Sequence, residues 1–211
     1  MKKCLLATGA LMIAFAAGTM LAPGLTGQEK GGKKGPAGPG LTLNSPDFTD
    51  GGIIPNKFTQ ADPMPVSPKL EWTNVPPGVA SFALIFHDPE GNGKNAEDTL
   101  HWMAFNIPAT SRGLAGGQSA DATLPDGTVQ AKNQRGGVGY MGPGAGAAGP
   151  YHHYTFQLYA LDTKLTLGPD AARADVLKPW MDTYSGRLLS EAASTAENQP
   201  FNHCACAPGA E

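Results

Sequence analysis

The chain has 211 residues and a mass of 21.8 kDa, enough for one well-buried core and short for two. With 18 acidic against 15 basic residues its formal net charge is −3, which excludes the strongly basic surface that nucleic-acid binding requires. Five histidines and three cysteines are few enough that the placement of each carries information.

In chain order, Lys2 and Lys3 precede an apolar run from Cys4 to Ala17, followed by small residues and Pro23. This is the pattern of a secretory signal peptide, and the run falls short of the ~20 residues that a membrane span needs. Residues 1–27 are therefore expected to be removed, with Ala17, Ala22 and Gly27 as alternative cleavage points. Loss of Lys2 and Lys3 then takes the net charge from −3 to −5. Cys4 lies too early for lipoprotein acylation, so no lipid anchor is expected. Residues 28–40, "QEKGGKKGPAGPG", hold Lys30, Lys33 and Lys34 in a Gly- and Pro-rich setting with nothing to bury. They read as a flexible tether rather than a lipid-headgroup patch.

A folded domain is expected over residues 41–200. "KLEWTNVPPG" makes a short strand that runs into a turn at Pro76, Pro77 and Gly78. "SFALIF" (81–86), "HWMAFNI" (101–107) and "HYTFQLYAL" (153–161) are aromatic-rich and alternate well enough for strands. Gly91 to Thr99 and Gly113 to Gly149 are long polar connections of the kind that carry function. Helix is expected only late, in "GPDAARADVLKPWMDTYSGRLLSEAASTAEN", as one or two segments capped by Asp170 or Asp175. Pro179 would sit in a first turn, with a boundary between Asp175 and Lys178. There is no internal repeat. The expected fold class is mainly β, a sandwich or barrel with peripheral C-terminal helices. The tail, residues 201–211, carries His203, Cys204 and Cys206. In an oxidising compartment a disulfide is favoured over a soft-metal site, although a bridge across one intervening residue would be strained and pairing with a partner stays open.

The chemistry gathers at strand ends. In "PYHHYTFQLYALD", residues 150–162, period-two alternation puts His152, Tyr154, Phe156 and Leu158 on one face and His153 on the other. His152 is read as turned inward toward something polar, and His153 as a solvated neighbour. "FALIFHDPE" ends a strand with Asp88 and Glu90 flanking Pro89, and these carboxylates are expected on the same side, roughly 6 to 7 Å apart. His101 opens a third strand, and "GGVGYMGPGAGAAGP" supplies glycine-rich backbone. The acids are expected to orient and charge His101 or His152, with loop N–H groups completing a cradle for a phosphate-like anion. Trp102, Phe105, Phe156 and Tyr159 are read as core, and Glu71, Asp162 and Glu191 as solvated or capping charges.

Four of these stretches, in this order, resemble the phosphatidylethanolamine-binding protein (PEBP) family, in its bacterial YbhB/YbcL-like, Raf-kinase-inhibitor-like branch. "LNSPDFTDGGIIPNKFT" is similar to the branch's opening segment, and "LEWTNVPPGVASFALIFHDPE" to the strand that leads into its Asp-Pro-acid signature. "LHWMAFNIPA" resembles its His-Trp strand, and "GYMGP" through "HHYTFQLYALD" its second signature. The resemblance spans about Leu41 to Ala193. It implies a two-sheet antiparallel sandwich with C-terminal helices beside a small anion pocket. By motif match it carries ligand-binding roles onto Asp88, Glu90, His101, Gly142, Pro143, His152 and Tyr154. The chain has Glu90 where the family usually has Asp, and "GAGAAGP" where it usually has consecutive prolines. It has Arg187 in "GRLLSEA" where a histidine is usual. The partners so implied are a small phosphorylated molecule, a lipid headgroup or a protein target, with no cofactor. Hydrolysis by paired carboxylates and a metal site built from Asp88, Glu90, His101 and His152 are the alternatives. The local spacing of the acids and the lack of a Gly-x-Ser-x-Gly elbow weigh against the first. A non-enzymatic binding or inhibitory protein is the leading reading.

Overall fold

The computed structural model describes residues 40–91, 98–145, 150–181 and 188–198. The expected export segment, the tether up to residue 39, Arg187 and the tail with His203, Cys204 and Cys206 lie outside these residues.

Among the described residues nine strands form two sheets. Strands β1 (Thr42–Asn44), β3 (Leu70–Thr73) and β6 (Gly113–Leu114) make a small antiparallel sheet in the order β1-β3-β6. The larger sheet has the order β2-β9-β8-β4-β5-β7. It is built from β2 (Gly52–Ile53), β4 (Ser81–Asp88), β5 (Thr99–Pro108), β7 (Val129–Gln130), β8 (His152–Leu161) and β9 (Leu188–Asn198). All of its pairings are antiparallel except that of β2 with β9.

Strand β4 explains the layering. All eight of its residues are buried, because both of its faces are covered. Phe82, Leu84 and Phe86 point to the small sheet, where they join Leu43, Leu70 and Trp72. The rings of Trp72 and Phe82 meet at 5.3 Å. Ala83 and Ile85 point the other way, to Met103, Phe105, Tyr159 and Val176 of helix α1 (Arg173–Met181). A strand covered on both sides loses the apolar-polar alternation of a half-buried one, which is why "FALIF" is uniformly apolar. Each large side chain buried here contributes about 1.5–3 kcal/mol relative to exposure.

Two late expectations are corrected. Of the one or two helical segments expected, one α-helix forms among the described residues, and the later part of that stretch is instead β9, paired along β8 from Leu161↔Leu188 to His152↔Asn198. Ser194 and Ala196 are buried while Ala193 and Thr195 are exposed, so the alternation is present but written in small residues. Without this partner β8 would leave a row of backbone donors and acceptors open at the edge of the core. Tertiary pairing overrides the helical preference of Ala and Glu. Pro179 also lies inside α1 rather than in a first turn. The helix starts earlier because Asp175 reaches back to accept the Ala172 N–H at 2.9 Å, half of a capping box.

Near its end β5 carries Asn106 with φ +57°, a left-handed conformation. Its amide clamps the later chain twice, donating to Leu165 O at 2.9 Å and accepting from Leu165 N at 2.7 Å. Asn106→Ala should lower stability by about 2 kcal/mol, since two hydrogen bonds are lost and a Cβ remains in left-handed backbone. Asn106→Gly should cost less, because only the bonds are lost. Urea unfolding checks this through a lower midpoint at unchanged slope.

Candidate functional site

The site sits where β4 ends and β5 and β8 begin. Asp88, the last residue of β4, is buried to 4% exposure, so its carboxylate needs a partner. Its Oδ2 lies 2.7 Å from His152 Nδ1, at the first residue of β8. Its Oδ1 accepts the Glu90 N–H at 2.9 Å, which turns the chain sharply at Pro89. The buried acid is thus satisfied by one side chain and by its own turn. Because the carboxylate takes the Nδ1 side of the ring, Nε2 is left as the remaining polar edge of His152.

His101 is held in the same manner by a different acceptor. It is 3% exposed, and its Nδ1 lies 3.0 Å from Met141 O. A carbonyl only accepts, so Nδ1 carries the proton and Nε2 is the ring's acceptor. The backbone locks this in place, since Met141 N donates to His101 O at 2.8 Å. Burial above all pushes the pKa of His101 below its ordinary value, and the positive charge of Arg135 acts in the same direction. The Met141 carbonyl and Asp88 oppose this only in part. The expectation that neighbouring acids would charge His101 is corrected: desolvation wins, and the free ring is neutral at pH 7.

Tyr154 joins the two histidines. Its ring lies 5.2 Å from that of His101, edge to face, and 6.3 Å from that of His152, nearly parallel. Behind it Phe86 stacks on Phe156 at 3.9 Å and on Tyr140 at 5.7 Å. Gly142 and Pro143, next to Met141, are buried against the 58–65 loop. A Cβ on Gly142 would fall 2.9 Å from Pro65 Cβ and 3.0 Å from Phe58 O, so no side chain fits there. Pro143 O accepts Gln60 N at 2.8 Å, and Tyr140 Oη donates to Phe58 O at 2.7 Å. Burial keeps the Tyr140 hydroxyl protonated by raising its pKa well above the ordinary value.

Asp88, His101, His152 and Tyr154 therefore come together, with Gly142 and Pro143 in the adjoining wall. Glu90 is placed differently from expectation. Its Oε1 lies 2.7 Å from His153 Nδ1, and its Oε2 accepts the His153 N–H at 2.9 Å. The longer side chain reaches the outward histidine, which Glu197 also approaches at 3.5 Å. Glu90 chiefly raises the pKa of His153; desolvation pushes Glu90 up, but its hydrogen bonds and charge contact with His153 together outweigh this and lower its pKa. Ligand atoms of Asp88, Glu90 and His152 lie within 4.8 Å of one another, residue types that suit a divalent ion. Both carboxylates are, however, already engaged with histidines. His87, one residue before Asp88, faces the back of the sheet near Asp98 and Arg173, where burial and then Arg173 depress its pKa.

The sequence reading missed Met141, whose carbonyl fixes the tautomer of His101, and Tyr140, whose ring backs Phe86. "GYMGP" was the signal for both: a segment between two glycines, passing beside a strand that starts with histidine, offers backbone polar groups at close range.

Comparison with known proteins identifies the family. The sequence model described as "Phosphatidylethanolamine-binding protein" matches residues 44–192. A UPF0098 protein of Methanothermobacter thermautotrophicus is 41% identical over 152 residues, 72% of this chain and 94% of that protein. LppC of Mycobacterium tuberculosis, named as a candidate lipoprotein, is 35% identical over 152 residues, 72% of this chain and 71% of that protein. Among solved structures, Escherichia coli YbcL superposes with a TM-score of 0.64 at 27% identity, covering 77% of this chain and 100% of that one. With the paired sheets, the Asp88–His152 contact and the order of its motifs, the chain belongs to the phosphatidylethanolamine-binding protein family, in its YbhB/YbcL-like branch.

Proposed function

We propose that this chain is an exported, non-enzymatic binding protein that holds a phosphate or phosphoryl headgroup at the His101–His152–Tyr154 site and acts as a ligand-dependent inhibitor or regulator. One observation carries the reading. Both histidines have Nδ1 pinned, one by Asp88 and one by Met141 O, so each presents Nε2 in a fixed orientation beside Tyr154. Such fixed rings suit an anion that accepts charge-assisted hydrogen bonds, or that brings its own proton to a neutral ring. The Asp88 carboxylate, 2.7 Å from Nδ1, holds the His152 ring so that Nε2 is its remaining polar edge.

Hydrolysis is the weaker reading. The Asp88–His152 pair has the form of an oriented general base, yet among the described residues no hydrogen bond joins His152 to a hydroxyl or thiol. Export is supported by Lys2, Lys3 and the apolar run to Ala17, and by the lipoprotein-type name of the LppC relative. N-terminal sequencing of protein from the cell envelope should find a mature start between residues 18 and 28. Intact Met1 on cytoplasmic protein would refute export.

The pH dependence has a definite sign. Free His101 has a depressed pKa, and a bound anion stabilises its cation, so binding takes up protons and strengthens as pH falls toward that depressed value. Calorimetric titration of inorganic phosphate and phosphoethanolamine should therefore give tighter binding at pH 5.5 than at pH 8. His152→Gln keeps a donor for Asp88 but removes the ring and its Nε2 edge. It should cost roughly 1.5 to 3 kcal/mol, about one to two decades in affinity. His153→Ala should change binding little. In Glu90→Gln, proton NMR should show the pKa of His153 falling toward its ordinary value while phosphate affinity holds. Equal losses in the two histidine variants, or binding indifferent to pH, would rule out the histidines as the anion site.

A further inference from the structure

The Tyr140–Gly142 segment also lines a cavity of about 550 Å³. Its lining includes Pro63, Pro65, Val138 and Met141, with Arg135 and Gln60 as polar members. Neither Asp88, His101 nor His152 lines it. We propose that this cavity is a separate binding site for a small-molecule carboxylate with an apolar body, and that Arg135 receives the carboxylate.

The cavity is built rather than incidental. Loops 58–65 and 133–144 are joined across it by Gln60 N to Pro143 O at 2.8 Å and by Tyr140 Oη to Phe58 O at 2.7 Å. Gln60 Nε2 also donates to Gly142 O at 2.8 Å, which fixes its Oε1 as the end turned to Arg135. Arg135 Nη2 donates to that oxygen at 2.8 Å. The guanidinium is thereby held in place by a neutral acceptor, and among the described residues it meets no carboxylate. A positioned arginine with spare donors matches the two oxygens of a carboxylate. The prolines, Val138 and Met141 provide apolar wall for the rest of the molecule, and the volume falls in the range of small-ligand sites.

Charge sets the class of ligand. Asp62 also lines the cavity, with its Oδ1 engaged by Met64 N at 2.9 Å. One fixed anion beside one fixed cation admits a single negative charge and opposes a second. A doubly ionised phosphate is disfavoured here, and a monocarboxylate is selected. The two sites meet along the Tyr140–Gly142 segment and each has its own polar groups, so occupancy of one does not require the other.

The test uses the mature protein and N-acetyl-leucine, followed by amide chemical shifts in nitrogen-15 NMR, with neutral N-acetyl-leucinamide as the control. The expected result is saturable shifts at Gly137, Val138 and Met141 with the acid and none with the amide. Arg135→Gln should weaken binding by about tenfold or more, the loss of a charge-assisted contact, with an unchanged melting temperature showing that the fold is intact. Arg135→Lys, which keeps the charge without the planar fork, should fall between. His152→Gln and saturating phosphate should leave binding of the acid as it was, whether or not phosphate itself binds at the histidines. Equal binding of acid and amide, unaltered affinity in Arg135→Gln, or displacement of the acid by phosphate would overturn the proposal.

Discussion

A carboxylate buried to 4% exposure at the end of a central strand is the constraint on which the site depends. Asp88 would be costly to ionise in that position without partners, and leaving one of its partners out would cost several kcal/mol. His152 and the turn at Pro89 meet the need. In doing so they fasten the end of β4 to the start of β8 and fix which edge of the imidazole is free. Tyr154 then falls two residues along β8 on the same face, and His101 packs edge-on against it from β5. The geometry of four side chains follows from one charge that has to be neutralised.

How much of this was legible in the sequence depends on whether local rules or neighbours decide. The turning of His152 inward and His153 outward follows from period two and was readable from "HHYTFQLY". Strands β4, β5 and β8 announce themselves through aromatic and branched residues. Strand β9 does not, because "SEAASTAE" has no large apolar side chains to mark a face, and only the open edge of β8 makes it extended. The same limit applies to Glu90. A sequence places two carboxylates on one turn but does not say which histidine each will reach, and one added methylene lets Glu90 bridge to the outer one. The neutrality of His101 was hidden as well, since it depends on how completely Phe86, Tyr154 and the Met141 backbone exclude water.

The backbone of residues 139–144 serves both faces of its own loop. Toward the strands, Met141 O fixes His101; away from them, Gly142 O fixes Gln60 and through it Arg135. Glycine at 142 is what allows this double use, because the backbone runs too close to Pro65 and Phe58 for any side chain. Substitution there would disturb the histidine tautomer and the arginine together.

Strand β9 has a consequence in time. Asp50 Oδ1 accepts the Thr195 N–H at 2.6 Å, Gly51 N donates to Thr195 O, and Ile54 N donates to Glu197 O. The opening and closing segments of the domain are stitched into one sheet, so the fold is completed only when its last strand is available. A chain still emerging from the ribosome lacks β9 and keeps β8 unpaired on one side. Non-local closure of this kind is intrinsically slow. It leaves an interval in which the edge of β8 is open to pairing with other strands.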